Sequence, residues 1–371
     1  PPATTEIYTL THSSAASDVY KRQVQNLFIG FFFSFFGFKL LLILFFLSED
    51  LVRLLKLLFL FILNFFRKEK VPQTTNSRRN FIRQTGLIVA SIPFASMLFG
   101  ITRGKYNFKV NELKLSFKNL PKAFHGYKIV QISDIHAGSF DSRDAILEGI
   151  ELVNQQNADL ILFTGDLVNN DSREILPFIE DFKKLRAPDG IFSILGNHDY
   201  GDYKKWDTEQ DKKDNMQLLY DYQKELGFSM LNNDNAVVRR GDDEIGIYGV
   251  ENWGNPPFPR KGDLDVALKG LENAGFKSLM THDPTQWNKR AVAHPVHFDL
   301  TLSGHTHGMQ LGIEIPGFKW SPIKYVYPQW AGLYEKGGQL LYVNRGFGFL
   351  GFPGRVGIWP EITVFELKQK E

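Results

Sequence analysis

Five short clusters carry side chains that bind cations or move protons. They are Asp134-Ile135-His136, Gly165-Asp166, Gly196-Asn197-His198-Asp199, His282-Asp283 and Gly304-His305-Thr306-His307. Carboxylate and amide oxygens with neutral imidazole nitrogens are the donor set that borderline divalent metals take. Two such ions held side by side activate water and clamp the oxygens of a phosphoryl group in transfer. An Asp can bridge two ions where a His cannot. Alternation along an extended segment would place Asp134 and His136 on one face, and His305 and His307 likewise. Glycines at 165, 196 and 304 let the backbone turn sharply and approach the ions. The chain has 9 His, five of them in these clusters. His12 lies in the N-terminal leader, and His125, His294 and His297 are read as surface or loop residues.

The elements that must position these clusters are short. Apolar runs at 128–133, 159–164 and 190–195 alternate with helix-like segments at 143–157 and 173–185. That β-α-β-α-β order predicts parallel strands with helices on their faces. Further strands are expected at 236–239, 244–250, 277–281, 298–303, 339–343 and 361–367, with helices at 216–226 and 264–274. Each chemical cluster then falls at the end of a strand. In a parallel sheet those ends share one edge, where loops from different strands converge. The segment 201–214 holds four Lys, five acids and Trp206. It reads as a solvated loop placed where a lid would be. Residues 311–338 are rich in Gly, Pro, Trp and Tyr and are expected to form an irregular wall.

Composition bounds what else the chain can be. Lys+Arg number 43 against 41 Asp+Glu, a formal charge of +2. So near-neutral a balance gives no reason to expect specificity for nucleic acid. Cys is absent, which excludes disulfides, thiolate metal ligands and a cysteine nucleophile. The apolar weight is concentrated at the N-terminus. Helices are expected at about 27–47, 51–66 and 86–101, with Ser48-Glu49-Asp50 as the break between the first two. Each run is long enough, or nearly so, to cross a hydrocarbon core of about 30 Å. The segment 67–83 carries Arg67, Lys68, Lys70, Arg78, Arg79 and Arg83 against Glu69. Such a loop should stay cytoplasmic, leaving the body from about Thr102 on the extracytoplasmic side of the cytoplasmic membrane. Ser77-Arg78-Arg79-Asn80-Phe81-Ile82 also resembles a twin-arginine export signal. Ser13 to Gln23 and Ala3 to Thr9 read as translations of two sequencing-library adapters in their usual order. Residues 1–23 are therefore expected to be foreign to the natural protein and are set aside. The expected organisation is a membrane anchor at 24–105 and a catalytic domain at 106–371.

The motifs DIHAG, GDLVNN, GNHD, THDP and GHTHG occur in this order across roughly 126–366. As a set they resemble the calcineurin-like metallophosphoesterases, and with the anchor they resemble a membrane-associated bacterial branch of them. The resemblance implies an α/β fold, a four-layer α/β/β/α sandwich of two mixed sheets. It implies two divalent transition-metal ions (Mn, Fe or Zn). Asp134, His136 and His307 would hold the first and Asn197, His282 and His305 the second, with Asp166 bridging. By the same resemblance His198 is the acid or phosphate-contacting residue and Asp199 orients it. Arg345 and Arg355 are candidates to fork onto a substrate phosphate. Met309 departs from the glycine usual after GHTHG and would narrow that loop.

The function implied is a metal-dependent phosphoric ester hydrolase that cleaves a phosphodiester or pyrophosphate with metal-activated water. The anchor admits a lipid-linked substrate, such as a nucleotide-diphosphate precursor. A contrasting reading is a non-catalytic anchored binding module that keeps metals for stability. The complete set of ligand positions argues against that module.

Overall fold

A computed structural model describes residues 3–67 and 76–370. Two long helices come first, α1 (Ala3–Arg67) and α2 (Asn76–Thr102). Their apolar stretches, 28–62 and 80–102, are long enough to cross a membrane. They run antiparallel. The Phe38 and Phe94 rings lie 5.4 Å apart, Gly86 sits against Phe45, and Gly30 sits against Ile101. The break expected at Ser48-Glu49-Asp50 does not form, and α1 is continuous through it. Those three residues include neither Gly nor Pro, and the Ser48 hydroxyl donates back to the Phe45 carbonyl at 2.7 Å, inside the helix. Pro93 is accommodated within α2. Lys68 to Thr75 lie outside the described residues, as do the side chains of Arg78 and Arg79. The cationic loop and the twin-arginine-like segment are therefore largely outside the described part.

The body folds around two six-stranded sheets. The first contains β1 (Lys109–Phe117), β2 (Lys128–Ile132), β3 (Leu160–Phe163), β4 (Ile191–Ser193), β5 (Phe228–Met230) and β14 (Glu361–Gln369), in the order β1-β14-β2-β3-β4-β5. The second contains β6 (Asp234–Arg240), β7 (Asp243–Gly249), β8 (Lys277–Met280), β9 (Leu300–Ser303), β12 (Gly332–Lys336) and β13 (Gln339–Val343), in the order β12-β13-β9-β8-β7-β6. A separate hairpin, β10 (Ile313–Ile315) with β11 (Phe318–Trp320), belongs to neither sheet. Both sheets are mixed, because β14 runs antiparallel to β2, and β12 to β13.

Strand alternation builds the layers. Ile129, Leu160 and Leu162 of the first sheet face Ile245, Ile247, Met280, Leu300 and Leu302 of the second. The opposite face of the first sheet, with Val130, Ile132, Ile161 and Phe163, packs on α3 (Arg143–Gln155), α4 (Ile179–Phe182) and α5 (Glu209–Glu225). α3 shows why: Ile146, Ile150 and Val153 repeat at helical spacing and are all buried, and the Ser142 side chain caps the Ala145 N–H. Each such aliphatic side chain contributes about 1.5–3 kcal/mol on burial. The outer face of the second sheet packs on α6 (Leu264–Leu268), Trp287 and Phe298. This is the expected α/β/β/α sandwich.

Segment 311–338, expected to be irregular, carries β10, β11 and β12, and three helices of the body differ from expectation. The helix expected at 173–185 is a 3-10 turn over Ser172–Phe178 followed by the single turn α4, because Pro177 removes an N–H from the ladder. α5 starts earlier than expected, at Glu209, behind a reciprocal cap between Thr208 and Asp211. α6 stops at Leu268, two residues before Gly270, whose φ is +81°. Strands β2, β3 and β4 are mutually parallel, as are β8, β9 and β13. Their C-terminal ends carry the five clusters and Asn344-Arg345-Gly346.

Candidate metal centre

The cluster residues leave their strands in tight turns. φ is +51° at Asp134, +49° at His136, +60° at Asp166, +73° at His305 and +49° at His307. The extended, same-face geometry expected for Asp134/His136 and His305/His307 is therefore not what forms. Left-handed backbone costs an L-residue about 1–2 kcal/mol each, and such strain concentrates at functional sites. Hydrogen bonds between loops hold it. Asp134 N–H donates to the Gly165 carbonyl at 2.9 Å, His136 N–H to Asp166 at 3.1 Å, and Gly304 N–H to His282 at 3.0 Å. Glycine is required where the loops press on the carboxylates. A Cβ at Gly196 would lie 2.1 Å from Asp166 Oδ1, and one at Gly304 would lie 2.2 Å from Asp134 Oδ2.

The side chains converge. The Nε2 atoms of His136 and His307 are 3.0 Å apart, and His307 Nε2 is 3.3 Å from Asp134 Oδ1. Asp166 Oδ2 lies 3.5 Å from His136 Nε2 and 3.1 Å from His282 Nε2, so one oxygen stands between two imidazoles. Asp134, His136 and His307 form one group of ligand atoms within 4.8 Å, and Asp134, Asp166 and His282 form a second. Asn197 and His305 form a wing beside His282. Their Oδ1 and Nδ1 atoms are 2.8 Å apart, and the His282 and His305 rings are 5.2 Å apart.

The donor set fits a pair of cations. Asp134, His136, Asp166 and His282 are buried, and His282 Nε2, aimed into the cluster 3.1 Å from Asp166 Oδ2, makes no well-directed hydrogen bond. Buried polar atoms without partners are costly, and they mark a place for a missing ligand. Burial opposes charge on Asp134 and Asp166, but the surrounding imidazoles outweigh it and hold both carboxyls well below the usual range. Burial likewise opposes a proton on His282, but the Asp166 and Asp134 carboxylates overcome it and raise the ring to about 10. Burial depresses His136 and His305. His282 Nε2 thus lies 3.1 Å from Asp166 Oδ2 and 4.0 Å from Asp134 Oδ1, two buried carboxyls whose negative charge bound cations would balance.

His198 sits on the rim of this cluster, its ring 5.0 Å from that of His136. Asp199 does not orient it. The Asp199 carboxylate accepts the backbone N–H groups of Asp166, Leu167, Val168 and Gly196, stapling two loops together. Burial, and then the Asp166 charge, push it up to about 7. His198 Nδ1 faces the Asn169 carbonyl instead, at 2.8 Å.

The two arginines expected to reach substrate are committed to the protein. Arg355 is fully buried, and its guanidinium donates to the carbonyls of Arg345, Gly346 and Gly348, with Nη2 3.3 Å from His307 Nδ1. Arg345 pairs with buried Glu361 and with Glu314. Met309 points outward at 53% exposure and does not narrow the site. His294 is paired with Asp265 and His297 lies by Asp299, both away from the cluster.

Three aromatic residues at the site carried no motif signal. Asn197 Nδ2 donates to Tyr203 Oη at 3.0 Å, and the Tyr203 ring is 4.6 Å from that of His198. Tyr203 comes from the charged segment 201–214, so that segment walls the site. Tyr327 Oη lies 2.8 Å from His305 Nε2, and Phe258 packs edge-on against the same ring at 4.8 Å. Their recruitment depends on loop paths that periodicity does not reveal.

Comparison with known proteins agrees with this geometry. Residues 127–309 match the family described as calcineurin-like phosphoesterase, and residues 3–105 match the family described as probable calcineurin-like phosphoesterase, transmembrane domain. An uncharacterized metallophosphoesterase, YkuE, of Bacillus subtilis is 31% identical over 304 residues, covering 79% of this chain and 98% of that protein. A Danio rerio transmembrane protein with metallophosphoesterase domain is 29% identical, covering 77% of this chain and 63% of that longer protein. Phosphodiesterase YaeI of Escherichia coli is 28% identical, covering 78% and 99%. Relatives thus occur in bacteria and in animals, so the resemblance is not confined to a bacterial branch.

Proposed function

Given that the chain belongs to the calcineurin-like metallophosphoesterases, with a membrane-anchoring N-terminal part, we propose that it hydrolyses a phosphodiester or pyrophosphate using two divalent transition-metal ions. The observation that carries this reading is the single Asp166 oxygen lying between His136 and His282. Asp134, His136 and His307 would hold one ion, and Asn197, His282 and His305 the other, with Asp166 shared. The bound pair supplies an acidified water and positive charge for the phosphoryl oxygens. The chain's own residues do the rest. Tyr203 holds the Asn197 amide so that Oδ1 faces the cluster. Tyr327 occupies His305 Nε2 and leaves Nδ1 facing inward. The Asn169 carbonyl accepts from His198 Nδ1, so the imidazolium form would pass its Nε2 proton to a leaving oxygen and remain as the neutral ring with Nδ1–H on that carbonyl. The name phosphodiesterase borne by one relative supports the diester preference.

The body is assigned to the extracytoplasmic side of the membrane. Arg83, in the early turns of α2, and the body lie at opposite ends of the α1–α2 pair, since Gly30 and Ile101 meet next to Pro353 of the body. The experiment is hydrolysis by the purified full chain in detergent, after chelation and separate reloading with Mn, Fe, Zn or Mg. Aryl diester, aryl monoester, nucleotide and lipid-pyrophosphate substrates should be compared. Turnover of a diester or pyrophosphate above the monoester supports the proposal. No turnover with any metal favours the binding-module reading.

A further inference from the structure

The hairpin β10–β11 is patterned inside out. Cross-strand partners share a face, and the register pairs Ile313 with Trp320, Glu314 with Lys319, and Ile315 with Phe318. The polar pair faces the body: Glu314 binds Arg345 at 2.6 Å, and Lys319 Nζ donates to the Ala331 carbonyl at 2.5 Å. The other face is Ile313, Ile315, Phe318 and Trp320. Ile313 is 50% exposed, Ile315 58% and Phe318 52%. Leu311, Tyr325 and Val326 extend this apolar surface and are exposed as well. A hairpin in water turns its apolar face inward and its charges outward. An exposed apolar patch of this kind marks an interaction surface.

Its root shows what covers it. Gly312 N–H donates to the Val356 carbonyl at 2.9 Å, and Val356 N–H donates to the Gln310 carbonyl at 2.7 Å. The same short segment receives the end of the anchor, because Arg355 N–H donates to the Gly100 carbonyl at 3.2 Å. A Cβ at Gly100 would lie 2.8 Å from Val356 Cγ2. The hairpin therefore leaves the body at the level where α2, apolar from 80 to 102, enters it. A bilayer crossed by the anchor would have its surface at that level.

We infer that the apolar face of β10–β11 is a lipid-docking surface that seats in the leaflet next to the anchor, a contact independent of the phosphoesterase reading. Lys324 and Tyr325 fit its margin, where a cation and an amphipathic ring reach the headgroups. One consequence follows for the site. His307 lies four residues before Leu311, so docking holds the mouth of the metal centre at headgroup height.

The absence of cysteine makes the test direct. Ile315→Cys and, as a control, Asp242→Cys in the exposed β6–β7 turn are labelled with an environment-sensitive fluorophore. β7 begins just after that turn and runs parallel to β8, whose far end carries His282, so position 242 lies at the edge opposite the site. The full chain is reconstituted in phosphatidylcholine–phosphatidylglycerol vesicles with and without spin-labelled lipid. The expected result is blue-shifted emission at 315 that spin-labelled lipid quenches, with neither effect at 242. Water-like, unquenched emission at 315 would overturn the proposal. Blue-shifted emission that lipid does not quench would also overturn it, since protein, such as a second copy, would then cover the face.

Discussion

The Nδ1 atom of His198 lies 2.8 Å from the carbonyl oxygen of Asn169. A carbonyl only accepts, so Nδ1 carries the hydrogen and the tautomer is set by backbone. His198→Ala is expected to retain both metals and to lose roughly 10²–10⁴-fold in turnover of an alkyl ester, the usual worth of general acid help. A nitrophenyl ester needs no proton on its leaving group and should suffer less. Parallel kinetics on the two esters decide, and equal losses would leave His198 as a phosphate contact only.

Asp199 has a different task. It is buried and accepts four backbone N–H groups. Asp199→Asn would turn an NH2 toward donors and should lower stability by about 1–3 kcal/mol. Denaturant unfolding of the metal-free chain measures this. The difference between the two esters should stay as in the unsubstituted protein, because Asp199 does not touch the His198 ring.

These two residues show how far the sequence alone could be read. The strand ends and the convergence of Asp134, Asp166, His282 and His307 follow from strand order and motif position, and the sandwich from the family resemblance. The partner of His198 did not, because adjacency in GNHD says nothing of where a tight turn aims each side chain. The arginines failed for a related reason. Arg345 leaves the end of β13 just before Gly346 and Arg355 follows Gly354, and both fold into the protein, where Glu361 and backbone carbonyls claim their donors. The Ser48-Glu49-Asp50 break failed because polarity alone does not end a helix.

Metal uptake should depend on pH. Although burial opposes its charge, His282 is raised to about 10 by Asp166 and Asp134, so the metal-free ring is protonated through the neutral range. Ligation requires that proton to leave. Affinity for Mn should therefore rise from pH 6 to pH 9, with proton release seen by calorimetry in buffers of different ionisation enthalpy. Affinity independent of pH would mean that His282 is not a ligand.

The orientation of the body is open to direct assay. In intact cells that express the chain, added protease should cut the 201–214 segment, whose Lys205 is exposed. Protection until the membrane is permeabilised would reverse the assignment and place the site on the cytoplasmic face.

A two-metal centre would be joined by Asp166, whose Oδ2 lies 3.5 Å from His136 Nε2 and 3.1 Å from His282 Nε2. Elemental analysis of the purified full chain and of Asp166→Asn tests it most directly. Two transition-metal ions per chain are expected, and at most one in the variant, because a neutral amide bridges poorly. One ion or none in the unsubstituted chain, or two retained in Asp166→Asn, would contradict it.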